Sequence, residues 1–387
     1  MNFEFTPEQE KLRGEVRQFL LKEAPAESLK TRDDVWANVD SFDREFARKV
    51  GKKGWIGMTW PKEWGGGGYN YIDRIIVNEE MLLYGAPVMA YWTNDRQMGP
   101  AILAHGSEEQ KREFLPRMIA GEISMCIGMS EPEAGSDLAS VQTRAVEKED
   151  CFIISGQKLW TGGAYFSNYI YLVVRTDPNV PKHRGLSEFI VDLKLPGVTV
   201  RPVADFEGHH GFNEVFFDEV RVPKTALVGK KNNGWYQIIG HLDYERAGLE
   251  RCMSNRRLFL DFQDYCKEEG LFKDPLVRHR VAELEVEFQV ARLLCYQVAW
   301  VLTEGRVPNI EAALAKAYGE VYMKRVAATI TQILGLYGQL MPKSKYVPLM
   351  GRVAQNYLFS PGYTLMAGSH EIQRSVLATR GLGLPRG

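Results

Sequence analysis

The sequence predicts an α+β multidomain protein, with a helical domain over residues 1–122, a central antiparallel β-barrel or sandwich domain over 123–228, and a four-helix bundle over 229–387. Three observations carry this reading. Helix-start signals recur before residue 122, short β-rich runs crowd the middle, and long segments with wide apolar faces fill the last 150 or so positions.

In the first region, Thr6 followed by Pro7 and Gln9 forms a capping box with proline in the first turn, and Ser107 with Gln110 repeats the box. The run "EEMLLYGAPVMAYW" is too rich in helix formers for a strand, and "TWPKEWGGGGYN" is a glycine-rich interruption. No GK[ST] follows those glycines, so a flexible connection is expected there rather than a phosphate loop. The middle region offers "CFIISGQKLW", "NYIYLVVRT", "SEFIVDL", "GVTVRPV" and "NEVFFDEVRVP", separated by turn residues. No helical segments lie between these runs and no GxGxxG follows a strand, which argues against a parallel dinucleotide-binding sheet. From residue 229, a long helix beginning near Gly234 and three further helical stretches, divided by Gly and Pro, predict an antiparallel bundle.

Bulk properties exclude several classes of function. A net charge of −1 gives no reason to expect binding to nucleic acid or an anionic membrane surface. No apolar run reaches the roughly 18 residues of a membrane span, and the N-terminus lacks a signal-peptide pattern. The five cysteines are scattered with no CxxC, as in a reducing compartment, so a cytoplasmic location is expected. No metal site is expected, because the seven histidines are dispersed without HxH or HExxH spacing. A serine hydrolase would need GxSxG, which is absent.

Four stretches could carry chemistry. The loop "MSEPEAGSDLASVQTRA" concentrates Ser130, Ser136 and freed backbone amides, which suit a polar ring or phosphate as well as an ordinary turn. Trp160 in "KLWTGG" is a flat surface for stacking or for filling core. "MAGSHEIQR" puts Gly368 and Ser369 before a helix, either as a polar binding edge or as plain capping with Ile372 in the core. "QILGLYG" ends a helix in close-packed glycines. In "WYQIIGHLDYERAGLERCMSN", Ile238, Leu242, Leu249 and Met253 form one helical stripe; Asp243 and Glu250 fall off it, where solvated charges belong. Glu245 and Arg246 lie within about 50° of the stripe's centre. A carboxylate there is either the partner of an arginine or a group held for chemistry.

These segments, in this order, resemble the acyl-CoA dehydrogenase family almost end to end. The likeness rests on "GSEEQKREFLPRMIAGE", "SEPEAGSDLASVQTRA", "GQKLWTGGA", "GFNEVFFDEVRVP" and "EIQRSVLATRGLG". The resemblance implies non-covalent FAD and α,β-dehydrogenation of an acyl-CoA thioester to the trans-2-enoyl-CoA, by proton abstraction at Cα and hydride transfer from Cβ. It assigns Ser130, Ser136, Trp160, Thr161, Gln332, Gly335, Phe272, Ser369 and Glu371 to flavin contacts. Many members carry the base in a Tyr-Glu-Gly-Thr stretch, where this chain has "MAGS" with Ala367. A subset that includes the isovaleryl and long-chain types has a Leu-Asp-x-Glu-Arg context instead. "LDYER" matches that context, making Glu245 the implied base and Arg246 its neighbour in substrate binding.

A second departure lies in "EEGLFKDPLVRHRVAEL". There Glu269 and Arg280 stand where the family has an Arg and a Gln that reach a neighbouring subunit's FAD. This resembles a bacterial subgroup acting on steroid and other bulky acyl-CoAs. The partners implied are an acyl-CoA, an electron-transferring flavoprotein, and either further copies of the chain as a dimer or tetramer or a related subunit. An oxidase on the same fold and a non-catalytic subunit are the alternatives. Ala367 leads to the expectation of a bulky or branched acyl group.

Overall fold

The computed structural model describes residues 4–24, 42–246 and 249–385, with the side chains of 241–246 and 251 outside the description. The chain divides into two compact units. One comprises the described parts of 1–35, 70–86 and 246–387; the other comprises those of 36–69 and 87–245.

The second unit is built on an eight-stranded sheet. Its strands are β1 Met125–Gly128, β2 Arg144–Glu147, β3 Cys151–Lys158, β4 Tyr169–Arg175, β5 Leu186–Asp192, β6 Val198–Val203, β7 Phe212–Pro223 and β8 Leu227–Val228. The path runs β6-β7-β3-β2-β4-β5-β8, with β1 added beside β4. Pairing is antiparallel except that β1 and β2 each meet β4 in parallel. The apolar run of β4 is explained by burial on both faces. Leu172 and Val174 join Phe152, Ile154, Phe189 and Val215 in one core, while Tyr171 and Ile190 face another with Trp60, Met98, Ile102, Phe114 and Leu115. The helices of this unit are α2 Arg44–Lys52, α4 Met89–Thr93, α5 Gly99–His105 and α6 Glu108–Ile119, and α5 and α6 supply the second core with Ala101, Ile102, Phe114, Leu115 and Met118. On α6, Ser107 and Gln110 make the expected reciprocal cap.

The glycine-rich interruption is tied down rather than flexible. The amides of Gly65, Gly66, Gly67 and Gly68 donate to the carbonyls of Lys62, Pro61, Gly57 and Trp60. With their N–H groups satisfied, none is left to cradle a phosphate. Trp60, 2% exposed, sits against Gly99 so closely that an added methyl would overlap its six-membered ring. Gly99→Ala is therefore expected to cost about 1–3 kcal/mol through overpacking. Urea unfolding would check this, and an unchanged midpoint would refute it.

The first unit is helical. It contains α1 Pro7–Glu23, α3 Tyr71–Leu83, α8 Glu250–Met253, α9 Arg256–Glu268, α10 Pro275–Thr303, α11 Asn309–Leu334, α12 Arg352–Tyr363 and α13 His370–Val376. Thr6 and Gln9 cap α1 as the sequence predicts. α10 packs on α11 and α3, and α11 on α12 and α13. Buried Phe259, Phe262, Phe288, Tyr322, Met323 and Ile330 furnish its apolar interior.

One expectation fails here. The stretch from 234 is not a single long helix: α7 Gly234–Arg246 ends, a four-residue α8 follows, and α9 begins at Arg256. Glu250, expected in solvent, is wholly buried, while Leu249 and Met253 of the predicted stripe are buried as expected.

Candidate active site

Ser130 and Ser136 lie on the loop between β1 and β2, Ser130 half-buried and Ser136 exposed. Trp160 and Thr161 follow directly on β3. Backbone bonding holds these pieces together. Leu159 N donates to Ser130 O at 2.9 Å, and Thr161 N donates to Asn213 O at 3.0 Å. Asn213 Nδ2 returns a bond to Thr161 O at 2.9 Å. Lys158 Nζ donates to Met129 O and to Glu131 Oε1, and Glu131 accepts the amides of Gln142 and Thr143.

Trp160 is 58% exposed and has φ 60°, in the left-handed region that a bulky residue occupies only under strain. Its indole meets Phe212 edge-on at 6.1 Å. Next along the chain, Thr161 Oγ1 is buried without a hydrogen-bond partner, as is Oδ1 of Asn213, which bonds the Thr161 backbone. An exposed flat ring at the same strand end as two unsatisfied buried polar atoms fits the edge of a polar, planar cofactor. Asn213 lies in the quoted "GFNEVFFDEVRVP" segment, but nothing in that segment singles it out as a site residue. Lys158 does leave a signal: it is a charged residue in phase with inward-facing Phe152 and Ile154 on β3.

Burial drives the Lys158 ammonium down to about 8, against the pull of Glu131. Burial opposes ionisation of Glu131 too. The Lys158 charge and the bonds from Gln142 and Thr143 outweigh it, so this carboxyl ends below the usual range.

The remaining expected contacts belong to the helical unit. Gln332, exposed, lies in the last turn of α11, and Gly335 follows with φ 58°, ending that helix. Phe272 is half-buried in a short 3-10 turn, where its carbonyl accepts from Arg278. Glu269 closes α9, and Arg280 is exposed on α10. Ser369 caps α13, its hydroxyl accepting from Ile372 N at 3.4 Å, and Ile372 is only half-buried. Glu371 is exposed, and its own backbone amide and the Ser369 hydroxyl hold its carboxyl below the usual range. Ala367 and Gly368 both have positive φ, 56° and 83°, in the turn before α13. Below that turn, His370 Nδ1 lies 2.6 Å from Glu320 Oε1, and Glu320 also pairs with buried Lys316. The structure thus brings Ser130, Trp160 and Thr161 together in one unit and places Ser369 and Glu371 together in the other. The backbone of Glu245 and Arg246 closes α7, and their side chains lie outside the described residues.

Comparison with known proteins decides the family. The N-terminal, middle and C-terminal domains of acyl-CoA dehydrogenase match residues 6–122, 126–220 and 232–382. Acyl-CoA dehydrogenase FadE29 of Mycobacterium tuberculosis is 34% identical over 100% of this chain and 99% of its own length. The chain belongs to the acyl-CoA dehydrogenase family. Among solved structures, the Tcur3481-Tcur3483 steroid ACAD superposes with a TM-score of 0.90 at 32% identity, covering 100% of both chains. The ChsE4-ChsE5 complex from Mycobacterium tuberculosis gives 0.87 at 32%, again over 100% of both. Like its family, this acyl-CoA dehydrogenase is an FAD-dependent oxidoreductase with the three-domain architecture expected from the sequence. Among the described residues, no helix is long and apolar enough to cross a membrane.

Proposed function

We propose that this acyl-CoA dehydrogenase acts on a bulky or branched acyl-CoA and uses Glu245 as its base. The observation that carries this is the turn before α13. The position where many members hold their base is occupied by Ala367, which has nothing to ionise. "LDYER" at the end of α7 then supplies the carboxylate.

In this reading Ser130, Ser136, Trp160 and Thr161 hold FAD from the sheet unit. Gln332, Gly335, Phe272, Ser369 and Glu371 hold FAD of this chain or of a neighbouring one. When bound, FAD supplies an acceptor for the hydride leaving Cβ. The chain's own residues do the rest. Glu245 takes the proton at Cα, a task for a carboxylate shielded from water. Arg246 helps orient the thioester, and Trp160 and Thr161 fix the ring against which Cβ must lie. Family likeness favours an electron-transferring flavoprotein as acceptor and a cytoplasmic setting. Rapid peroxide formation in air would instead indicate an oxidase.

The test is anaerobic bleaching of the flavin absorbance by a panel of acyl-CoAs. Branched and ring-bearing substrates are expected to bleach faster than butyryl-CoA, and a strong preference for butyryl-CoA would sink the substrate assignment. A chain that binds no FAD alone but does so with a related subunit would make it one half of a mixed assembly. Relatives named as pairs of chains keep that arrangement in play.

Association is also favoured by the surface of α10. Val286, Val290, Leu293 and Trp300 share one face and are 64, 38, 43 and 37% exposed. Native mass is expected to exceed one chain, and Val286→Glu to lower it. A monomeric wild type at micromolar concentration would remove this argument.

A further inference from the structure

Lys158 is fully enclosed, with its Nζ 3.0 Å from Met129 O and 2.8 Å from Glu131 Oε1. Glu131 accepts from Gln142 N at 2.6 Å and from Thr143 N at 2.9 Å. One ammonium and one carboxylate thereby join three pieces of chain: the start of the β1–β2 loop, its far end at 142–143, and the end of β3 that runs into Trp160 and Thr161. Buried ions incur a large desolvation cost, and a packed apolar pair would avoid it. An apolar pair could fill the space, but it could not fix the direction of two amides and a carbonyl. We propose that Lys158 and Glu131 are positioning residues for the flavin, setting the loop that bears Ser130 and Ser136 in register with the strand end that bears Trp160 and Thr161.

This role rests on the reading that those four residues contact FAD. The middle of the loop has an independent hold, because Arg175 Nη2 donates to the carbonyls of Ala139 and Val141. Loss of the pair therefore shifts the loop's ends without releasing its centre.

The test uses the FAD-loaded protein and four variants: Lys158→Met, Glu131→Gln, the double variant, and Trp160→Leu as a separate probe of the flavin contact. The FAD dissociation constant, the flavin midpoint potential and the melting temperature are measured for each. The single variants leave a mismatched buried group, and either one alone can fail to fold. The double variant contains no unpaired charge and is expected to melt close to wild type. It should bind FAD on the order of tenfold more weakly, the loss typical when a supporting partner of a direct ligand is removed. Its midpoint potential should move, and its bleaching at saturating FAD should slow by up to about 10²-fold. If the double variant keeps wild-type FAD affinity and potential while Trp160→Leu weakens FAD, the pair is purely structural and the proposal falls. If Trp160→Leu also leaves FAD affinity unchanged, the flavin assignment of this loop fails, and the positioning role fails with it.

Discussion

Glu245→Gln is expected to keep FAD bound and to lose flavin bleaching by acyl-CoA, with the rate down by about 10²–10⁴-fold, the usual contribution of a general base. The amide keeps the size and most of the hydrogen bonding of the carboxylate but cannot accept the Cα proton. FAD affinity should be unaffected, because none of the residues assigned to flavin contact is altered. Glu245→Asp should fall between the two, since it keeps the charge but draws it back by one methylene. If Glu245→Gln bleaches as fast as wild type, the base lies elsewhere, and Glu245 becomes a structural partner of an arginine.

Ala367 allows a complementary experiment. Its backbone already has φ 56°, so Ala367→Glu adds a carboxylate without creating a new left-handed position. In the Glu245→Gln background this second change is expected to recover part of the bleaching. Recovery would mean that both positions serve one reacting carbon. No recovery, with FAD still bound, would mean that the turn before α13 does not reach it.

Signals confined to a few neighbouring residues were legible in the sequence. Both capping boxes form as written, because each needs only a hydroxyl and an amide three residues apart. Five of the strands lie where β-rich runs meet turn residues. Readings that extended a local pattern over distance failed. The stripe through Ile238 sent Glu250 to solvent, yet Glu250 is buried along with Leu249 and Met253, which the stripe placed inside. The four glycines read as slack chain, yet their amides are engaged by carbonyls of residues 57–62, which no local pattern reveals. The site behaves the same way. Trp160 and Thr161 belong to a recognisable segment, but Asn213 joins them only through the β3–β7 pairing that brings distant segments side by side.

Glu79→Ala is expected to cost about 3–5 kcal/mol at neutral pH, the largest stability effect among these changes, because it removes the buried carboxylate shared by half-buried Arg292 and buried Arg13. Glu79 is 4% exposed on α3 and accepts from Arg13 Nη1 at 2.8 Å and Tyr296 Oη at 2.9 Å, with a two-pronged bond from Arg292. Arg13 also reaches Glu80, which in turn accepts from Arg17 Nε and Nη2. Two carboxylates thus tie α1 and α10 to α3. Burial opposes the ionisation of Glu79, but Arg292 and Arg13 prevail and hold its carboxyl below the ordinary value. The sign of the pH effect follows. A carboxyl with a depressed folded pKa contributes stability that is fully present above its unfolded pKa of about 4.3 and is lost as pH falls through the folded value. Wild type should therefore lose stability relative to Glu79→Ala only below about pH 4.5. Urea midpoints for both proteins between pH 3.5 and 7 would show two roughly parallel curves that converge at the acid end. A gap under about 1 kcal/mol at neutral pH would place the network among the many ion pairs that contribute little net stability.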